Sequence, residues 1–178
     1  PENTIVTIGG DIVHAKTEMS PELIKMVSYL FKGLADRRPT IVITGNHDAN
    51  LNNPHRLDAL TPIVDGLSHS NLFYLRDTGL YEIENPEQYK TLIALYHGTV
   101  ANSKVDSGLN LEHGLEWNTF AGFDAVPLGD IHKRQVLCDQ NPAMFYPGST
   151  VQQNFGEAYE GHGYALIDLR DTKDIKYE

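Results

Sequence analysis

Near its start the chain runs Thr4-Ile5-Val6-Thr7-Ile8, a β-branched stretch closed by Gly9-Gly10, and this pattern predicts a buried strand that delivers Asp11 into the following loop. The period then changes. Leu23, Met26, Val27, Leu30, Phe31 and Leu34 recur at helical spacing behind Ser20, a good N-cap, and Pro21 at the first helical position, so a helix is expected that stops near Ala35 to Arg38. Pro39 introduces a second apolar run, Thr40 to Thr44, which ends at Gly45 and hands over to Asn46-His47-Asp48. Strand, helix, strand predicts a parallel βαβ unit with polar residues at its strand ends.

Beyond it, Asn50 to Asn53 reads as loop and about Pro54 to Asp65 as a helix with Arg56, Asp58 and Asp65 toward solvent. Short strands are expected at Leu72–Leu75 and Leu80–Ile83, either side of the Asp77-Thr78-Gly79 turn, and another at Tyr89–Tyr96, ending at His97. Residues 98–116 show little periodicity, and a long aperiodic connection often carries function. Ala125–Leu128 leads into Gly129-Asp130, and Gln135–Cys138, Met144–Tyr146 and Tyr164–Leu169 read as an antiparallel tail. The alternation favours an α/β fold with two sheets.

At 178 residues, without repeats or low-complexity tracts, a single domain over residues 1–178 is the expectation. No apolar run is long enough to cross a bilayer, so no membrane association is expected. The lone Cys138 excludes an intramolecular disulfide framework and a cysteine zinc cluster, and fits a reducing, cytoplasmic setting. A net charge of -10 argues against a general electrostatic grip on nucleic acid, because such affinity comes from cations that displace counterions. Arg37-Arg38 and Lys133-Arg134 are the only adjacent basic pairs.

Four short motifs sit where these strands end: Gly10-Asp11-Ile12-Val13-His14, Gly45-Asn46-His47-Asp48, Leu95-Tyr96-His97-Gly98 and Gly129-Asp130-Ile131-His132. Carboxylate and amide oxygens suit hard divalent cations and imidazole suits Mn, Fe and Zn, so a mixed Asp/Asn/His set points to metal-assisted hydrolysis. Two such ions about 3.5–4 Å apart activate water, clamp a phosphoryl oxygen and stabilise the leaving oxygen of an in-line displacement. Each motif alone is weak evidence: Gly-Asp after a strand is commonly a turn, and Gly-Asn-His-Asp could be an Asx-type loop. Their order, each after a strand, is what carries weight.

In that order they resemble the calcineurin-like metallophosphoesterases, whose pattern is Asp-x-His, Gly-Asp, Gly-Asn-His-Asp/Glu, a lone His and Gly-His-x-His. The resemblance runs from Gly10 to His132 and implies a four-layer α/β/β/α sandwich with two divalent metals, Mn foremost, with Fe, Zn or Mg as alternatives. It makes Asp11 the carboxylate bridging both metals, Asn46, His97 and Asp130 ligands of the second, and His132 a ligand of the first. His47 resembles the general acid, oriented by Asp48. Gly9-Gly10-Asp11-Ile12-Val13-His14 and Phe145-Tyr146-Pro147-Gly148-Ser149 look like the SbcD-like exonucleases of DNA double-strand-break repair. That branch implies DNA as substrate, with His14, Lys133, Arg134 and Ser149 as contacts and the Pro-Gly-Ser turn offering amides to a phosphate. It also implies an SMC-like coiled-coil ATPase as partner, with a homodimer as a further option.

Two departures stand out. The family's opening strand with its Asp-x-His is missing, so the domain is expected to be N-terminally incomplete, with an unpaired sheet interior and a first metal, left with Asp11 and His132, that binds weakly. Asp130 stands where the family usually has His, a carboxylate that favours a harder ion. Asp130-Ile131-His132 also reads as the missing Asp-x-His displaced along the chain; the antiparallel strand and Pro-Gly-Ser turn after it favour the last-motif reading. Two rival functions remain: a phosphatase or nucleotide phosphodiesterase on small or protein substrates, and a non-catalytic scaffold. His55, His69 and His113 read as solvated, His162 as a turn residue, Trp117 and Phe120 as core anchors, Tyr146 and Tyr159 as either core or base-stacking residues, and Cys138 as a small buried hydrophobe.

Overall fold

A computed structural model of the chain describes residues 4–50, 53, 55–82, 91–157 and 161–178, and within them every side chain but that of Lys173. The first apolar run forms β1 (Val6–Ile8). Ser20 Oγ then accepts from Leu23 N at 3.2 Å and opens α1 (Pro21–Ala35), whose last turn carries Lys32 where the helix dipole favours a cation. α1 buries Val27, Phe31 and Ala35, while Met26, 69% exposed, and Leu30 face outward. The apolar stripe is narrower than its spacing predicts, because a helix laid on a short sheet covers one face only.

β2 (Thr40–Ile43) pairs parallel to β1, with Val6 opposite Thr40, and completes the expected βαβ unit. The helix expected from Pro54 is shorter and starts later. Pro54, Leu51 and Asn52 lie outside the described residues, residues 55–60 turn, and α2 spans Thr61–Leu67. Asp58 sets that start: its carboxylate accepts from Leu60 N, Thr61 N and Thr61 Oγ1 at 2.9, 2.7 and 2.7 Å. Expected in solvent, Asp58 is buried. β3 (Leu72–Leu75) pairs parallel to β2, so the sheet runs β1-β2-β3. Residues 80–82 form no strand, and Ile83 lies outside the description. α1, α2 and the sheet enclose a core around Phe31, Val42, Leu60 and Leu72.

Chain contacts divide the protein into two compact units, Pro1–Leu80 and Tyr81–Glu178. In the second, the described part of the expected 89–96 strand is reduced to a bridge at Ile93 and β4 (Tyr96–His97); Tyr89 and Lys90 lie outside the described residues. The aperiodic connection holds a small antiparallel pair, β5 (Ser103–Lys104) and β6 (Asn110–Leu111), and a 3-10 turn at Trp117–Phe120. β7 (Ala125–Gly129), β8 (Gln135–Asp139) and β9 (Ala143–Tyr146) join β4 in a mixed sheet of order β4-β7-β9-β8, parallel except for β8 against β9. β10 (Ala165–Asp168) and β11 (Asp171–Tyr177) form an antiparallel ribbon. Phe120, Val126, Leu128, Met144 and Tyr146 fill this unit's core. Trp117 does not: it is 40% exposed and donates Nε1–H to Ala101 O at 2.8 Å. Cys138 is half-buried and free. The fold is mixed α/β, and among the described residues no helix is long and apolar enough to cross a membrane.

Candidate functional site

In parallel sheets, ligands gather at the carboxyl ends of strands. Two such pairs of ends carry the motif residues, those of β1 and β2 in the first unit and those of β4 and β7 in the second. In the first, β1 delivers Gly10 and Asp11, both at positive φ (+92° and +56°), and β2 delivers Gly45 to Asp48. A non-glycine residue at positive φ is strained and needs surroundings that hold it. Asp48 is the holder. Wholly buried, its carboxylate accepts from Gly45 N and Asp11 N through Oδ2 (2.9 and 2.8 Å) and from Ile12 N and Val13 N through Oδ1 (2.9 and 3.1 Å). Burial raises its pKa above the usual aspartate value, against the pull of the Gly45, Val13 and Asp11 amides. Gly45 completes the arrangement, since a Cβ there would collide with the backbone nitrogen and carboxylate of Asp11.

The expected His47–Asp48 pair is thereby corrected. Asp48 is occupied by backbone amides, and His47 Nδ1 instead meets His14 O at 2.8 Å while its ring stacks on that of His14, centroids 5.4 Å apart. Because a carbonyl only accepts, Nδ1 carries the hydrogen, and in the neutral ring the lone pair falls on Nε2. His47 N donates to Asp11 Oδ1 at 2.9 Å, and Lys16 Nζ, unremarked in the sequence, ties Asn46 O and Ala49 O at 2.9 and 2.8 Å. His14 therefore acts here by its carbonyl and ring face upon His47.

The second unit repeats the geometry with other parts. β4 and β7 are parallel, His97 stands opposite Gly129, and Asp130 follows at φ +90°. His97 Nε2 lies 3.8 Å from Asp130 Oδ1, a spacing at which two donors can share one ion, and the His97 side chain is only 8% exposed. Thr99 Oγ1 donates to Asp130 Oδ2 at 3.4 Å. The segment after His97 is fixed by Tyr146, whose buried hydroxyl donates to Gly98 O (2.8 Å) and accepts from Val100 N (3.0 Å). Burial pushes its pKa up to about 12, so it is a neutral positioning group and no stacking platform; Tyr159 lies outside the described residues.

His132 is held by a residue the sequence does not single out. Its Nδ1 lies 2.7 Å from Glu157 Oε1, and that carboxylate also accepts from Gln153 N (2.7 Å) and Asn154 Nδ2 (2.8 Å). Burial pushes Glu157 upward, yet the Gln153 amide and His132 together carry it below the usual glutamate value. No local pattern marks Glu157; it reaches His132 across 25 positions.

The expected substrate contacts fare differently. Ser149 N does not stand open to a phosphate, because it donates to His132 O at 3.1 Å, while Ser149 Oγ pairs with His162 Nδ1 at 2.9 Å. Arg134 lies over the Tyr177 ring, 4.7 Å from its centroid, and Lys133 is half-buried. A cleft of about 430 Å³ opens beside His132, lined by Thr99, Asp106, Ser107, Asp130 and Asn154 among others, and by no lysine or arginine among the described residues. His69, expected in solvent, bridges Asp36 Oδ1 at 3.1 Å; His55 and His113 are exposed as expected.

No protein-family model matches the chain. It is 40% identical over 192 residues, 90% of its own length, to an uncharacterized protein of Acanthamoeba polyphaga mimivirus, of which it spans 14%. It is 37% identical over 87 residues, 48% of its length, to the uncharacterized metallophosphoesterase YhaO of Bacillus subtilis, of which it spans 20%. A protein of Invertebrate iridescent virus 6 that carries a phosphoesterase name is 24% identical over 201 residues, with 97% of this chain and 67% of that protein covered. The chain thus spans well under two thirds of the first two. The chain is thus similar to proteins named metallophosphoesterase and phosphoesterase, and it carries carboxylate, amide and imidazole donors at the ends of the parallel pairs β1–β2 and β4–β7.

Proposed function

We propose that the chain is the metal-dependent catalytic domain of a phosphodiesterase acting on DNA, of the SbcD-like repair type. The observation that carries this reading is the buried Asp48 carboxylate, whose four amide bonds hold Asp11 in a strained conformation and set His47 beside it. A scaffold that only binds a partner has no need of such a device. Asp11 and Asn46 in the first unit and His97, Asp130 and His132 in the second are the donors assigned to two divalent ions, Mn foremost. Bound there, the ions supply Lewis-acid activation of water and of the phosphoryl group.

The protein's own residues do the rest. Asp11, held through its backbone, presents carboxylate oxygen without rearrangement. In its imidazolium form, with Nδ1–H held by His14 O, His47 gives the leaving oxygen the proton on Nε2 and is left as the neutral Nδ1–H tautomer. Glu157 and Tyr146 fix His132 and the segment after His97. The reading carries with it the four-layer sandwich, a reducing compartment and an SMC-like ATPase partner.

One observation favours a second reading. The cleft beside His132 carries acids, hydroxyls and an amide among aliphatic side chains, and among the described residues no lysine or arginine lines it, which suits a small phosphodiester better than a polyanion. The test is hydrolysis with added Mn of linear duplex DNA, a nucleotide diester and a chromogenic phosphodiester. Cleavage of DNA, lost on chelation and in Asp11→Asn, is expected. Cleavage of the small diesters alone selects the second reading, and no Mn-stimulated cleavage of any of them overturns both.

A further inference from the structure

His132 is the most exposed of the proposed metal donors in the second unit, 41% of its side chain open to solvent, yet it is not free to turn. Its Nδ1 is 2.7 Å from Glu157 Oε1, and the Glu157 side chain is 3% exposed. A carboxylate only accepts, so Nδ1 must carry hydrogen and the lone pair of a neutral ring falls on Nε2. Among the described residues Nε2 meets no hydrogen-bond partner. Imidazoles that bind metal through one nitrogen typically donate the other N–H to a carboxylate, which fixes tautomer and ring orientation together.

Glu157 is itself fixed from outside the metal motifs. Oε2 accepts from Gln153 N, Oε1 also accepts from Asn154 Nδ2, and its carbonyl accepts from Gln152 Nε2 at 3.3 Å. Asn154 Oδ1 in turn accepts from Gly156 N at 2.8 Å. Residues 152–157 are thus wound on one carboxylate, with Phe155 fully exposed at the turn and Asn154, Gly156 and Glu157 lining the cleft beside His132.

We propose that Glu157 is the positioning residue for His132: it locks the imidazole in the Nδ1–H tautomer with Nε2 presented to a divalent cation, and ties that state to the folding of the 152–157 loop. The metal half of this statement rests on the function proposed above; the tautomer half does not. Three donors converge on the two oxygens of Glu157, so a carboxamide, with one oxygen and one NH2, cannot satisfy them all. Glu157→Gln must therefore give up either the His132 bond or the Gln153 amide, and Glu157→Ala gives up both.

The experiment is 15N NMR of the histidine rings of the metal-free protein in alkaline buffer, followed by Mn titration calorimetry of wild type, Glu157→Gln, Glu157→Ala and His132→Ala. In the wild type His132 is expected with hydrogen on Nδ1; hydrogen on Nε2 overturns the proposal whether or not any variant folds. In Glu157→Gln either the tautomer shifts or the Gln153 amide loses protection from exchange, and Glu157→Ala shows both. A variant that keeps both overturns the proposal. Mn affinity should fall about 10-fold or more in either Glu157 variant. A tautomer that shifts while neither the Glu157 variants nor His132→Ala alters Mn affinity upholds the positioning and overturns the metal assignment of His132.

Discussion

The strand ends of the two units carry the same kind of donors but are held in opposite ways. In Pro1–Leu80 one buried carboxylate, Asp48, gathers four backbone amides, so Asp11 and His47 are placed through the main chain. In Tyr81–Glu178 the donors are placed by distant side chains: Glu157 on the His132 ring and Tyr146 on the segment after His97. Both arrangements hold an aspartate at positive φ, Asp11 at +56° and Asp130 at +90°. A backbone-held site loses its shape with its fold, whereas a site held by side chains can lose one donor and keep the rest. The difference is therefore open to measurement.

The largest effect is expected at Asp48. Asp48→Ala strands four amides, each of which costs about 1–3 kcal/mol when buried without a partner, so a loss of about 4 kcal/mol or more in urea denaturation is predicted. A loss under about 1 kcal/mol would mean that the loops hold themselves. Tyr146→Phe should cost less, about 2 kcal/mol, since it unpairs Val100 N and Gly98 O but leaves the ring packed. Its signature is faster exchange of the Val100 amide with little change at Asp11; equal disturbance at both would erase the contrast.

The motifs of the first unit were legible because the parts that hold them are contiguous. Gly45-Asn46-His47-Asp48 contains both the residue presented and the carboxylate that presents it, and Ser20-Pro21 declared the helix between its strands. Even so, sequence misleads about the partner of Asp48: a carboxylate next to a histidine invites pairing with its ring, while burial favours amides that point inward. Glu157 and Tyr146 were harder still. They act across 25 and 48 positions, and only pairing of β7 with β9 and the loop after β9 brings them to their targets. Asp58 shows the same limit in small, since polar spacing placed it in solvent and three groups of α2's first turn placed it inside.

The smallest effect concerns pH. Burial raises Asp58, but bonds from Thr61, Tyr74 and Leu60 carry its pKa below the ordinary 3.8. Its contribution to stability is therefore complete above 3.8 and fades as pH falls through the lower folded value. The stability gap between wild type and Asp58→Asn should narrow as solutions are acidified through that window. A gap constant with pH would show that Asp58 acts by shape alone.

The central claim, that these strand ends hold divalent metal, is tested most directly by anomalous diffraction at the manganese edge from crystals grown with Mn. The account predicts a strong peak in coordination contact with His97 Nε2 and an Asp130 oxygen, and density on Asp11 as well. Peaks confined to surface carboxylates such as Asp168, with none at Asp11, His97 or Asp130, would contradict it.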